Sequence, residues 1–224
     1  MSHGLDRLLG QARIISVGDC ESIQEILERH NKSMWVHFSP FLVSYSLPPR
    51  RSLYLLEVEG SLVLIQVNVR NGETRTDLLF LPVPYTDKIN SWLTTLPEIV
   101  GQEDVRIIWV DEEEISQLRL EFDENLAWDE KGVEYIYEPE KVWTMEGSEF
   151  RDMRKRVRKA EKNFPDFMDL SVEDISECQE LLKKWRSVQG RKNSFLLDWG
   201  YTRAALNEFH RFSAENLYGW CVKI

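Results

Sequence analysis

Residues 53–81 read LYLLEVEGSLVLIQVNVRNGETRTDLLFL, and this stretch decides the fold. Three apolar runs, Leu53 to Val58, Leu62 to Val69 and Thr74 to Leu81, are separated by two short turns. The first turn is Glu59-Gly60 and the second is Asn71-Gly72. Asn-Gly is a strong two-residue hairpin signal, because both positions tolerate positive φ. The spacing therefore predicts an antiparallel three-stranded meander.

The neighbouring segments add helices to this sheet. Upstream, Arg13 to Val17 is a short strand candidate, and Asp19 is placed to cap a helix with Ile23, Ile26 and Leu27 on one face. Met34 to Ser46 reads as helical or irregular, ended by Pro48 and Pro49. Downstream, Thr86 caps a helix predicted through Leu96. Val105 to Val110 reads as a strand, and Asp111 to Leu120 as a helix whose acidic first turn suits the helix dipole. Val133 to Tyr137 is a further strand candidate. The fold class is thus α/β (α+β): a mixed, mostly antiparallel sheet flanked by helices.

A second part begins near Pro139. Ser148 is predicted to cap a helix running to Asn163, with Phe150, Met153, Val157, Ala160 and Phe164 as its apolar stripe and Pro165 as its end. Phe167 to Leu170 reads as a strand, and Ser171 with Asp174 as a capping box. Ile175, Cys178, Leu182 and Trp185 mark another helix, closed by Gly190. Tyr201 to Glu215 is helical and Leu217 to Ile224 strand-like. The order strand, helix, helix, strand repeats that of the first part and then stops, a repeat of element order and not of residues. Residues 1–138 are accordingly expected to form one lobe, and 139–224 a linking helix with the start of a second. The chain is expected to be a fragment of a longer reading frame.

Composition narrows the function. The 224 residues are 42% hydrophobic, enough for a core. No apolar run reaches the roughly 20 residues of a membrane span, and the N-terminus has no signal-peptide pattern, so a cytoplasmic protein is expected. The three cysteines and four histidines are scattered, which argues against a disulfide framework or a bound metal. The net charge of −10 disfavours general attraction to nucleic acid or to an anionic membrane, and no DNA partner is expected. One segment departs from that average. Residues 148–163 hold seven basic side chains and three acidic ones, leaving 21 basic against 35 acidic elsewhere.

That segment carries a family resemblance. Val133-Glu134-Tyr135-Ile136-Tyr137, followed by Met145-Glu146-Gly147-Ser148 and the Lys/Arg-rich run to Lys162, resembles the junction in the C-terminal domain of phosphatidylglycerol lysyltransferase-like proteins. Glu173 to Cys178 and Trp185 are similar as well. The resemblance implies two tandem lobes of the Gcn5-related N-acetyltransferase fold, the second incomplete here. It implies acyl or aminoacyl transfer from aminoacyl-tRNA or acyl-CoA to an amine or hydroxyl acceptor, with no resident cofactor. One departure stands out. Where such folds hold a donor pyrophosphate on a Gly-rich turn, this chain has Leu81-Pro82-Val83-Pro84-Tyr85-Thr86, with no glycine and two residues that donate no N–H.

The candidate site is Arg151, Arg154, Arg158 and Lys162, spaced three and four apart on one flank, with Lys155 in the site and Lys159 extending the row. Such a row can neutralise a polyanion: tRNA, a CoA phosphate or a lipid head group. The same row also fits a solvated face, with Asp152 pairing Arg156. A non-catalytic anion-binding module is therefore the rival to an acyltransferase. Trp185, Trp199, Tyr201, Tyr218 and Trp220 fit either an acceptor pocket or core. Cys221 is expected to be buried, and no catalytic residue can be named.

Overall fold

A computed structural model describes residues 3–122, 126–130, 132–133, 136–163, 167–189, 199–213 and 217–222. The described chain divides into two compact units. The first comprises Met1–Ala127 with Ile175–Leu217, the second Trp128–Asp174 with Tyr218–Ile224. No described helix is long and apolar enough to cross a membrane.

The first unit is an α/β layer structure around one five-stranded sheet. Its strands are β1 (Arg13–Ile14), β2 (Arg51–Val58), β3 (Ser61–Arg70), β4 (Glu73–Phe80) and β5 (Ile107–Trp109). They lie in the order β1-β2-β3-β4-β5. The first four are antiparallel and β5 joins β4 in parallel. The meander thus forms as its turns predict. Glu59 and Gly60 have φ of 50° and 80°, Asn71 and Gly72 of 54° and 82°, as a two-residue turn with both φ positive requires.

Both faces of the sheet are covered. Leu53, Leu55, Leu62, Leu64 and Leu79 face one core, with α2 (Cys20–Arg29) and α3 (Ser39–Tyr45). Leu56, Val63, Ile65, Val67 and Leu78 face the other, with α1 (His3–Leu9) and α4 (Asp87–Val100). Strict alternation between two apolar layers explains why β3 reads as a continuous apolar run. Helix α4 continues past Leu96 through Pro97, because Leu96 and Val100 both bury in the second core and Gly101 closes the turn at φ 72°. Helix α5 (Glu112–Phe122) opens on a reciprocal cap. Asp111 Oδ1 accepts the Glu114 N–H at 2.8 Å and Glu114 Oε2 accepts that of Asp111 at 3.1 Å.

The second unit holds α6 (Pro139–Thr144), α7 (Arg151–Asn163) and the two-stranded antiparallel sheet of β6 (Phe167–Asp169) and β7 (Trp220–Val222). Helix α7 begins at Arg151 rather than Ser148. The Ser148 carbonyl accepts the Arg151 N–H at 3.1 Å, so the preceding residues form a turn. Of the expected strand Val133 to Tyr137, Glu134 and Tyr135 lie outside the described residues, and Val133, Ile136 and Tyr137 are in no strand. Phe164, Pro165, Gly190, Glu215, Lys223 and Ile224 also lie outside. The remaining helices, α8 (Ile175–Gln189) and α9 (Trp199–Glu208), belong to the first unit.

One local device occurs twice. After β1, Ser16-Val17-Gly18-Asp19 makes a 3-10 turn into α2; after β6, Ser171-Val172-Glu173-Asp174 makes one into α8. In each, the aspartate Oδ2 accepts from the serine N–H and Oγ, at 2.8 and 2.8 Å in the first and 3.0 and 2.6 Å in the second. Both aspartates are buried. The residue before each serine makes the same cross-strand bond: Ile15 N–H to the Leu53 carbonyl at 3.0 Å, Leu170 N–H to that of Gly219 at 2.9 Å. The registers match too, Ile14↔Tyr54 against Asp169↔Trp220. The repeat of element order therefore extends to residues at this turn.

Asp19 does not cap α2 with its side chain, contrary to the sequence expectation. Its carboxylate turns back to Ser16 and to Arg13. Burial pushes its pKa up, but the bonds from Arg13 and Ser16 outweigh this and hold it below the ordinary value. Replacing Asp19 by Ala is expected to cost about 1–2 kcal/mol, readable as a lower urea midpoint, because it leaves the Ser16 donors unpaired.

Candidate functional site

Helix α7 is laid out by its own spacing. At 3.6 residues per turn, Arg151, Arg154, Lys155, Arg158, Lys159 and Lys162 fall within an arc of about 140°. Phe150, Met153, Val157 and Ala160 occupy the opposite side. None of the described side chains of α7 is buried. Phe150 and Val157 are half-buried, Ala160 is exposed and Met153 is 45% exposed, so the apolar stripe is only partly covered.

The five predicted residues share this helix but not one environment. Arg151, Lys155, Arg158 and Lys162 are exposed and, among the described residues, enter no ion pair. Asp152 and Arg156 likewise form no pair among the described residues. Arg154 differs. It is half-buried, and its Nη1 donates to the carbonyls of Met145 and Gly147, the latter at 2.8 Å. Met145 ends α6 at φ 50° and Gly147 follows at φ 97°. The guanidinium thus fixes the corner between α6 and α7. Spacing alone put Arg154 in the row; its bond to a preceding turn was not visible there.

The segment 81–86 is a closed structure. Val83 is fully buried, donates its N–H to the Leu62 carbonyl at 3.0 Å and accepts the Leu62 N–H at 2.7 Å. The Pro84 carbonyl accepts from Ser61 Oγ at 2.6 Å. Thr86 caps α4, its Oγ1 accepting the Ile89 N–H at 3.4 Å. The Val83 N–H is therefore occupied within the sheet.

The described aromatics of the later chain are divided between the two units. Tyr201 packs edge-on against Phe41 at 5.6 Å, within the first unit. Tyr218 and Trp220 meet at 5.0 Å on the exposed small sheet of the second unit, and Trp220 stacks with Phe167 at 6.3 Å. Trp185 lies on α8, partly exposed, and the Trp199 side chain is outside the described set. Cys221 is half-buried rather than buried, its Sγ 4.0 Å from Asp174 Oδ2. The described His, Cys, Asp and Glu side chains form no cluster that could hold a metal ion.

Two buried ionisable groups escaped the sequence reading. His37 is 2% exposed, and its Nδ1 accepts the Met34 N–H at 3.1 Å. Its ring meets Phe80, the last residue of β4, edge-on at 4.9 Å. Burial and the Lys32 ammonium push its pKa down to about 4, against the opposing charge of Asp111. Asp77 on β4 is fully buried. It accepts from Arg75 Nε at 3.0 Å and from Arg106 Nε and Nη2 at 3.0 and 2.7 Å.

Residues 71–222 match the family described as phosphatidylglycerol lysyltransferase, C-terminal. That is two thirds of the sequence, and the chain belongs to this family. No curated protein and no solved structure matched the chain.

Proposed function

We propose that this member of the phosphatidylglycerol lysyltransferase C-terminal family is an aminoacyltransferase-like protein with two acetyltransferase-like lobes, working in the cytoplasm. The observation that carries the reading, beside the family, is the exposed basic row of α7, whose Arg151, Lys155, Arg158 and Lys162 lack ion-pair partners among the described residues. The row holds an anionic donor or acceptor: aminoacyl-tRNA, a CoA phosphate or a lipid head group. In the transfer, an acceptor amine or hydroxyl bonds to the donor carbonyl carbon. The ester to the tRNA ribose, or the thioester to CoA, breaks, and the acceptor proton passes to the departing oxygen or sulfur. Positioning does most of this work, with one acid–base group assisting.

The twofold occurrence of the Ser-Val-x-Asp turn, with matching registers, supports the tandem-lobe reading. The parallel addition of β5 beside β4 fits the same fold. The closed segment 81–86 favours a first lobe that binds no acyl-CoA, and so leaves room for the second reading, a non-catalytic anion-binding module.

Arg151, Arg158 and Lys162 are the residues to test, since Arg154 serves the corner with α6. Their joint replacement by Ala is expected to weaken aminoacyl-tRNA binding about tenfold or more, and to flatten the log affinity against log salt slope by about two units. An unchanged slope removes α7 from the reading. Thermal shifts with acyl-CoAs and aminoacyl-tRNA distinguish donors, because a bound ligand raises apparent stability.

A further inference from the structure

The sheet face under α2 and α3 changes character along its strands. Residues directly opposite one another point to the same side. The registers therefore place three rows on this face: Leu55 with Leu64, then Leu53 with Gln66 and Asp77, then Arg51 with Asn68 and Arg75. The first row is apolar and buried, and the last is polar and half-buried. The middle row is the anomaly. It sinks a glutamine and an aspartate, 3% and 0% exposed, into a layer of leucines. Asp77 is satisfied by Arg75 and Arg106. Gln66 is not: its buried Oε1 has no hydrogen-bond partner among the described residues. A buried amide oxygen left unpaired carries its full desolvation cost, so native interiors seldom keep one.

Arg51 is the second group without a counterpart. Its guanidinium lies over the Tyr45 ring, 3.7 Å from the centroid, and its Nε donates to the Tyr45 carbonyl at 2.8 Å. The stacking and the bond hold the planar fork in place. Arg75 and Arg106 share Asp77, and Arg75 also pairs with Asp104. Arg51 enters no ion pair among the described residues. Three guanidiniums here meet two carboxylates, which leaves one positive charge in excess. Burial holds the Tyr45 phenol above its ordinary pKa; the charge of Arg51 works against this and that of Asp77 adds to it. Tyr45 is thus a neutral O–H within reach of both charges. Tyr201 of α9 stands beyond it, 6.4 Å between ring centroids.

We propose that this end of the sheet, at Tyr45, Arg51, Gln66 and Asn68, is a binding site for a small hydroxycarboxylate. The carboxylate meets the Nη edge of Arg51, whose fork matches two oxygens. The hydroxyl donates to Gln66 Oε1, the acceptor that lacks a donor. Arg51 and Gln66 are diagonal neighbours across β2 and β3, about 7–8 Å apart at the backbone. The two ligand groups are therefore a few bonds apart, as in a 2- or 3-hydroxy acid. Asn68, opposite Arg51, stands at the half-buried mouth. Charge selects among ligands. One negative charge cancels the excess of Arg51, whereas a zwitterionic amino acid brings an ammonium toward three guanidiniums. A phosphate dianion carries no donor for Gln66. A few placed polar groups against an aromatic wall are what orient a small molecule. The site lies in the first unit and does not rest on the reading of α7.

The test is isothermal titration and thermal shift of the full chain with glycolate, lactate and 3-hydroxybutyrate. Acetate, propionate and butyrate, which lack the hydroxyl, are the matched controls. At least one hydroxy acid is expected to raise apparent stability in a saturable way, and to bind at least about fivefold tighter than its control. Arg51→Gln should weaken that binding at least about tenfold. Gln66→Leu keeps the volume and removes only an unpartnered amide, so the fold tolerates it. It should bring the hydroxy acid and its control to equal affinity. If Arg51→Gln does not fold, the Gln66→Leu comparison decides alone. No binding of any hydroxy acid at millimolar concentration would overturn the proposal. Equal affinity for acids with and without the hydroxyl in the native chain would do so too, as would a preference that survives Gln66→Leu. None of these results bears on tRNA binding by α7, so the proposed function stands or falls separately.

Discussion

Replacing Asp77 by Ala is expected to lower the stability of the first unit by about 3–5 kcal/mol, the range found when one member of a buried ion pair is removed. The carboxylate is wholly buried on β4 and is shared by two guanidiniums. Arg106 precedes β5, so its two bonds to Asp77 draw β5 onto β4. Arg75 also reaches Asp104 through two bonds, at 3.2 and 3.1 Å. Gln102 exchanges bonds with the Thr76 backbone at 2.6 and 2.8 Å. The parallel strand pair is short, with β5 contributing only three residues, so this polar lacing holds the join where ladder bonds are few. Without Asp77, two cations face each other across an apolar setting. Both are partly exposed and can turn to solvent, which puts the cost toward the lower end. The check is urea unfolding: a lower midpoint with an unchanged m-value reports lost stability rather than a changed denatured state. Asp77→Asn keeps the volume and one acceptor, and should cost about half as much.

Asp77 also shows where sequence reading stops. A charged residue at the centre of a strand reads as solvent-facing, and its partner Arg106 lies 29 positions away, so nothing local marks the contact. The strands around it were legible for the opposite reason. Burial on both faces writes continuous apolar runs, and Asn71-Gly72 marks the turn regardless of context. Helix α1 was missed because only Leu5 and Leu8 bury, too little for a pattern. Helix α4 was cut short at Pro97, where tertiary burial of Val100 overrides the proline. In the candidate site, the row on α7 was legible from spacing, since helix geometry is periodic. The engagement of Arg154 with Met145 and Gly147 was not, because it depends on the fold of the preceding turn. The Ser-Val-x-Asp repeat was readable in the residues, but it takes the shared hydrogen bonds to give four letters meaning.

Lowering the pH from 6.5 to about 4 is expected to remove about 3 kcal/mol of stability through His37 alone. In the folded chain its pKa lies at about 4; in the unfolded chain it returns to about 6.5. Above pH 6.5 both states hold a neutral imidazole and His37 contributes no pH dependence. Between the two values the unfolded chain binds a proton that the folded chain refuses, so stability falls by up to about 1.4 kcal/mol per pH unit. Below about 4 the folded chain protonates as well and the decline from this group ends. The cause is burial first, since His37 is 2% exposed, with Lys32 nearby adding like charge and Asp111 opposing. Lys32 cannot swing away at little cost, because its Nζ is paired with the buried Glu114 Oε1 at 2.5 Å. His37→Asn supplies a side-chain oxygen in place of Nδ1 for the Met34 N–H and cannot titrate. That variant should start about 1–2 kcal/mol lower at pH 8, from the smaller volume against Phe80. Its urea midpoint should then fall less steeply between pH 6.5 and 4.5 than that of the native chain. Parallel curves for the two proteins would show that the acid sensitivity lies elsewhere, among the carboxylates, where Asp19 sheds its contribution only as the pH falls through its own depressed pKa.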